Sequence, residues 1–192
     1  MGDYKIKGTV LLDYIRIIRS NPDRNWDKYL KKEDWEVVNS RVLPSMWYPY
    51  GLFFRTGKAV FEEIAAGNLQ IAKQFGKANA ETLFKGAYKS MLDSILAQGG
   101  GVVRFLERYA SLSLSLFNFI TVNLEEITEK NVKLTIDVEM DATEMLAEPY
   151  FNQLAGTVES LVTMSGGKNP KVVFISKYWE NDPNTVYDVS WD

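Results

Sequence analysis

Apolar residues recur every three or four positions in the first half of the chain and every two in the second. Leu11, Tyr14, Ile15 and Ile18 fall at i, i+3, i+4 and i+7, the single apolar face of a helix that ends by Pro22. Asn25 to Val42 holds one or two short helices anchored by Trp26, Leu30, Trp35 and Val38, and Leu43-Pro44-Ser45 breaks the pattern. Tyr48-Pro49-Tyr50 opens a helix through Ala66, because proline suits the first helical turn. Phe53, Gly57, Val60 and Ile64 line one of its faces. Gly67 closes it and Asn68 caps the next, which carries Ala72, Phe75, Gly76, Asn79 and Leu83. Further helices are predicted from about Tyr88 to Leu96 and, after Gly99-Gly100-Gly101, from about Val102 to Ser111.

The period then changes. Ile120, Val122 and Leu124 alternate with polar residues, as do Val132, Leu134, Ile136, Val138 and Met140, which describes half-buried strands joined through Glu129-Lys130-Asn131. A helix from about Pro149 to Gly166-Gly167 presents Phe151, Leu154, Val158, Leu161 and Val162. Two closing strands, Lys171 to Trp179 and Val186 to Trp191, meet at Asn181-Asp182-Pro183-Asn184. Pro183 belongs in that turn because it has a fixed φ and no N–H. The pattern predicts an α+β fold, with an N-terminal helical layer packed on a C-terminal β-β-α-β-β antiparallel sheet. A single domain is expected over residues 1–192, helical over about 1–112 and sheet-forming over about 113–192.

Composition narrows the chemistry more than the fold. The net charge of −3 and the scattered basic residues give no cationic face for nucleic acid or an anionic membrane surface. No apolar run is long enough to span a membrane, and MGDYKIKG lacks a signal-peptide core, so a cytoplasmic location is expected. Ile6 stands where a myristoylation signal wants Ser or Thr. Cysteine and histidine are both absent, which removes disulfides, imidazole ligation and Ser-His-Asp or Cys-His catalysis. The expectation is no cofactor, neither haem nor zinc, since His and Cys are the usual ligands.

The remaining acid–base candidates have plainer readings. Asp137 and Glu139 share one strand face and fit a solvated surface, as does the acidic run Glu139, Asp141, Glu144 and Glu148. Gly99-Gly100-Gly101 could cradle a phosphate, but no Lys-Ser/Thr pair follows, and a hinge is the simpler reading. Gly57, Gly76 and Gly156 each cost about 1 kcal/mol against Ala inside a helix. Close helix packing would offset that cost, and so would room for a ligand.

Particular phrases carry a resemblance. Lys7-Gly8-Thr9-Val10-Leu11 precedes the first helix, Trp47-Tyr48-Pro49 opens another, and Phe75-Gly76-Lys77-Ala78 lies in a third. Leu154-Ala155-Gly156, Gly166-Gly167, Asp182-Pro183 and Tyr187-Asp188-Val189-Ser190-Trp191 follow in order. Together they resemble a large paralogous family of uncharacterised proteins known mainly from myxobacteria. The tail is similar to the 4-vinyl reductase-type domain, whose fold is shared by haem–nitric-oxide-binding sensors and TRAPP tethering subunits. The resemblance implies a helical layer on a small sheet with an apolar cavity between. It also shows departures. Haem sensors of this fold hold iron through a His, and grip the propionates with Tyr-x-Ser-x-Arg. Tyr109-Ala110-Ser111-Leu112-Ser113 has the Tyr and Ser without the Arg and reads as coincidence. The cysteines usual in the 4-vinyl reductase-type tail fall near Tyr150, Tyr178 and Val186 here.

Trp47, Tyr48, Pro49, Tyr50, Phe53 and Phe54 form the most aromatic stretch, readable as core or as a pocket wall. With Phe84 and Tyr88, the candidate ligand-binding residues are Trp47, Tyr50, Phe53 and Phe54. The expected function is a non-enzymatic, sensor-like regulatory domain binding a small hydrophobic ligand between its layers. Alternatives are an interaction module forming a TRAPP-like homodimer and, with least support, a cofactor-dependent reductase.

Overall fold

The computed structural model describes residues 3–140 and 145–192, so Asp141 and Glu144 of the acidic run lie outside the described residues. The chain opens with β1 (Lys5–Lys7) and α1 (Gly8–Ser20), whose buried face is the predicted Leu11, Tyr14, Ile15 and Ile18. A 3-10 turn (Trp26–Lys28) and α2 (Lys32–Val38) follow. β2 (Trp47–Pro49) then pairs antiparallel with β1, so Trp47-Tyr48-Pro49 is strand and α3 (Tyr50–Glu63) starts only after it. α4 (Leu69–Lys85) begins at the predicted cap, where the Asn68 side chain accepts from the Gln70 N–H at 2.8 Å. Gly67 has φ +72°, the left-handed value at which glycine ends a helix without strain.

α5 (Lys89–Ala97) closes at Gly99, also left-handed at φ +67°, and α6 (Val102–Leu116) runs five residues beyond its expected end. β3 (Ile120–Thr128) and β4 (Asn131–Val138) form the expected hairpin. α7 (Ala147–Met164) precedes β5 (Lys171–Ser176) and β6 (Thr185–Ser190), which pair across the Asp182-Pro183 turn. The sheet order is β3-β4-β6-β5, antiparallel throughout, so the α+β layering holds.

Val132, Leu134, Ile136, Tyr187 and Val189 form the buried face of the sheet. α7 lies on that face, and the Tyr187 hydroxyl donates to the Phe151 carbonyl at 2.6 Å. α7 is apolar nearly all round because α4 covers its other side. That crossing explains two glycines. A Cβ on Gly76 would overlap the Gln153 carbonyl oxygen, and one on Gly156 would overlap that of Lys73. The backbones therefore touch, and Thr157 Oγ1 donates to the Gly76 carbonyl at 3.1 Å. Beside this seam the buried Glu159 carboxylate takes Lys73 at 2.6 Å and Lys77 at 2.8 Å.

A second buried pair ties α2 to α3. Arg55 donates twice to Asp34, both at 2.6 Å, and the Lys31 N–H donates to the same carboxylate. Burial works against the Asp34 anion, but these hydrogen bonds outweigh it and hold its pKa below the usual carboxylate value. Among the described residues no helix is long and apolar enough to cross a membrane.

Candidate functional site

Two cavities lie between the helices. The first, about 30 Å³, is walled by α3 and the start of α4 together with Met145, Leu146 and the first turns of α7. The second, about 80 Å³, lies among α1, α4, α6 and α7, where Phe84, Leu112, Leu116 and Phe117 supply apolar walls. Phe53, Tyr150 and Gln153 line both and form the partition. Among the described residues Asp13 is the one charged residue lining either cavity, and it is bound to Arg16 at 2.7 Å. Burial raises the pKa of Asp13 despite that partner.

The second cavity carries two unusual hydroxyls. Tyr109 on α6 and Tyr150 on α7 line it, and neither phenol has a hydrogen-bond partner among the described residues. Burial pushes both pKa values well above the usual phenol value, so both stay protonated. No buried side-chain polar atom among the described residues lacks a partner, so these hydroxyls are open to water, which a ligand acceptor would replace. Other buried tyrosines here are satisfied. Tyr14 donates to Gln153 Oε1 at 2.8 Å, and Tyr187 is bonded to the α7 backbone.

The expected aromatics divide. Tyr50, Phe53 and Phe54 line the first cavity, while Phe53 and Phe84 line the second. Tyr88 packs on Phe84 with ring centroids 5.8 Å apart and lines neither. Trp47 is 41% exposed on β2, under Lys7 Nζ at 4.1 Å, and also lines neither. Asp137 accepts from Asn123 and Asn184 on the exposed sheet face and makes no pair with Glu139. Sequence reasoning missed Tyr14, Tyr150 and Gln153 and dismissed Tyr109. The available signal was Tyr150 and Gln153 at i and i+3, two polar groups sharing one face of an otherwise apolar helix.

No family model and no curated relative matches the sequence. Solved structures do match over almost the whole chain. An H-NOX protein from S. oneidensis in the Fe(II)NO ligation state superposes with a TM-score of 0.68 at 9% identity, covering 97% of this chain and 99% of that one. An H-NOX structure from a study of heme distortion gives 0.65 at 12% identity, covering 97% and 95%. Unliganded Fe(II) H-NOX from K. algicida gives 0.63 at 10% identity, covering 97% of each chain. The chain has the H-NOX fold. The haem–nitric-oxide-binding part of the resemblance is therefore supported as fold, whereas the 4-vinyl reductase and TRAPP parts receive no support.

This likeness corrects the expectation of no haem, because the proteins that share the fold are studied with haem and Fe(II). The inference from missing His and Cys was too broad. It removes imidazole and thiolate ligation, but phenol oxygen also holds haem iron in some proteins. Tyr109 and Tyr150 carry such oxygens, although burial disfavours the phenolate form that would hold iron. Space is tighter. Sites for drug-sized ligands run to about 300–1,000 Å³, so the second cavity admits a macrocycle only if its walls separate.

Proposed function

We propose that this chain is a non-enzymatic sensor domain whose ligand occupies the cavity among α1, α4, α6 and α7. The observation that carries this reading is the pair of unpartnered phenols, Tyr109 and Tyr150, facing one apolar cavity. Haem is the first ligand to test, given the solved proteins that share the fold. When bound, haem would supply an iron centre able to take a further small ligand. The chain's own part is to exclude water with Phe84, Leu112 and Leu116 and to present the two hydroxyls. Their raised pKa values make them hydrogen-bond donors first. Either becomes an iron ligand only by losing its proton. Because the cavity is small, uptake has to move a wall, and such a displacement gives a sensor its output.

The test is titration of the purified chain with hemin, followed by the Soret band and by melting temperature. Saturable uptake of one equivalent with a raised melting temperature is expected, and Tyr109→Phe or Tyr150→Phe should weaken uptake about tenfold, or about 1.4 kcal/mol. No saturable uptake of hemin or of any smaller apolar probe overturns the reading.

A second reading, a homodimeric interaction module, draws on β5. That edge strand leaves Val173 and Ile175 56% and 60% exposed on the outer sheet face. Light scattering across a concentration series tests it, with a persistent monomer as the overturning result.

A further inference from the structure

We infer that the first cavity is the entry chamber of the second, that the Tyr14–Gln153 pair is the latch between them, and that the route passes small neutral molecules. The inference rests on the reading of the second cavity as the ligand site. Three observations carry it. The cavities share Phe53, Tyr150 and Gln153, so side-chain rotation alone would join them. The outer lining of the first cavity is apolar, with Phe54, Phe61, Phe75, Leu146 and Pro149 all partly exposed. The second has partly exposed polar groups at Thr9, Asp13, Asn79 and Thr157, which favour water over an apolar entrant.

The latch follows from hydrogen bonding. Tyr14 donates to Gln153 Oε1 and so fixes the amide across the partition, leaving Gln153 Nε2 with no partner among the described residues. An entrant bearing one acceptor can take that donor as it passes. Among the described residues no charged side chain lines the first cavity, so an ion passing them would lose its hydration without compensation. Gly57 gives the latch its room, because a Cβ there would lie 3.4 Å from the Tyr14 ring. It lines the first cavity and not the second.

Xenon is a suitable probe because it is neutral, apolar and enters dry protein cavities. Exchange of ¹²⁹Xe into the full chain would be measured by NMR, with occupancy read from xenon-pressurised crystals. Gly57→Leu should slow exchange with the second cavity at least tenfold and leave its saturating occupancy unchanged. Tyr14→Phe should speed exchange. Gly57→Ala is a smaller plug should the leucine variant fail to fold, with a weaker effect of the same sign. Unchanged exchange with the second cavity when the first is plugged makes the first a side pocket and overturns this inference alone. Xenon in neither cavity overturns the ligand-site reading as well.

Discussion

The two sides of α7 are packed by opposite principles. Against α4 the backbones meet through Gly76 and Gly156, with no side chain between them. One turn away, toward α1 and α6, the same helix leaves a cavity and an unpartnered phenol at Tyr150. The seam spends the entropic penalty of two helical glycines on close contact. The open side leaves hydroxyls open to water. Close contact is maximised on one side, and on the other a cavity is left for the ligand proposed above.

The largest test of this contrast is at the seam. Gly156→Ala should cost about 3 kcal/mol or more, because the new Cβ meets the Lys73 backbone, which cannot swing aside. Urea denaturation measures it. Gly76→Ala should do the same, and the double variant should cost less than the sum, since the first overlap already parts the helices. A loss under about 1 kcal/mol in either single variant would erase the distinction between the two sides.

A core residue near the open side comes next. Phe105 is fully buried against Phe84, with ring centroids 5.0 Å apart, and Phe105→Ala should cost about 3–5 kcal/mol. Tyr109→Phe, one turn along the same helix, should leave stability nearly unchanged. Removing a hydroxyl that is open to water and bonds no protein group should change stability by less than about 0.5 kcal/mol while weakening ligand uptake. Thermal melts with and without ligand separate the two effects.

The smallest effects are in pH. The lowered pKa of Asp34 means its pair with Arg55 contributes stability above about pH 4, its unfolded value. That contribution is lost as pH falls through the lower folded value. Asp34→Asn should therefore flatten the acid limb of the stability curve. At the other end, Tyr14, Tyr109, Tyr150 and Tyr187 have raised pKa values. Their contribution holds below about pH 10 and fades above it, as the unfolded chain ionises first. Tyr109→Phe together with Tyr150→Phe should make the alkaline limb shallower.

The helices with a single apolar face, α1 and α4, and the alternating strand β4 were legible because burial imposes its period on the sequence. β1 and β2 were not. Each has three residues, and their pairing joins positions 40 to 44 apart, which no local pattern records. The end of α6 was hidden by Leu112-Ser113-Leu114-Ser115-Leu116, an alternation that reads as strand although its tertiary setting is helical. Of the aromatic cluster, Tyr50, Phe53 and Phe54 on α3 do border a cavity, whereas the polar groups Tyr14, Tyr150 and Gln153 carried no comparable signal. The choice between packing and room for Gly57, Gly76 and Gly156 needed coordinates. Two of them serve contact between backbones, and Gly57 borders a cavity. The haem expectation failed for a different reason. A count of ligand types excludes modes of coordination, and it was read as excluding the macrocycle.

The glycine seam has a mechanical consequence. With α4 and α7 locked backbone to backbone, they act as a fulcrum, and an occupant of the cavity cannot push them apart cheaply. The wall best placed to yield to the proposed ligand is α6, which follows the left-handed Gly99 and the short link Gly100-Gly101. α6 leads within three residues into β3, the edge strand of the sheet. On the proposed reading, a load placed among Phe84, Tyr109 and Leu116 would be levered along one helix to the edge of the sheet.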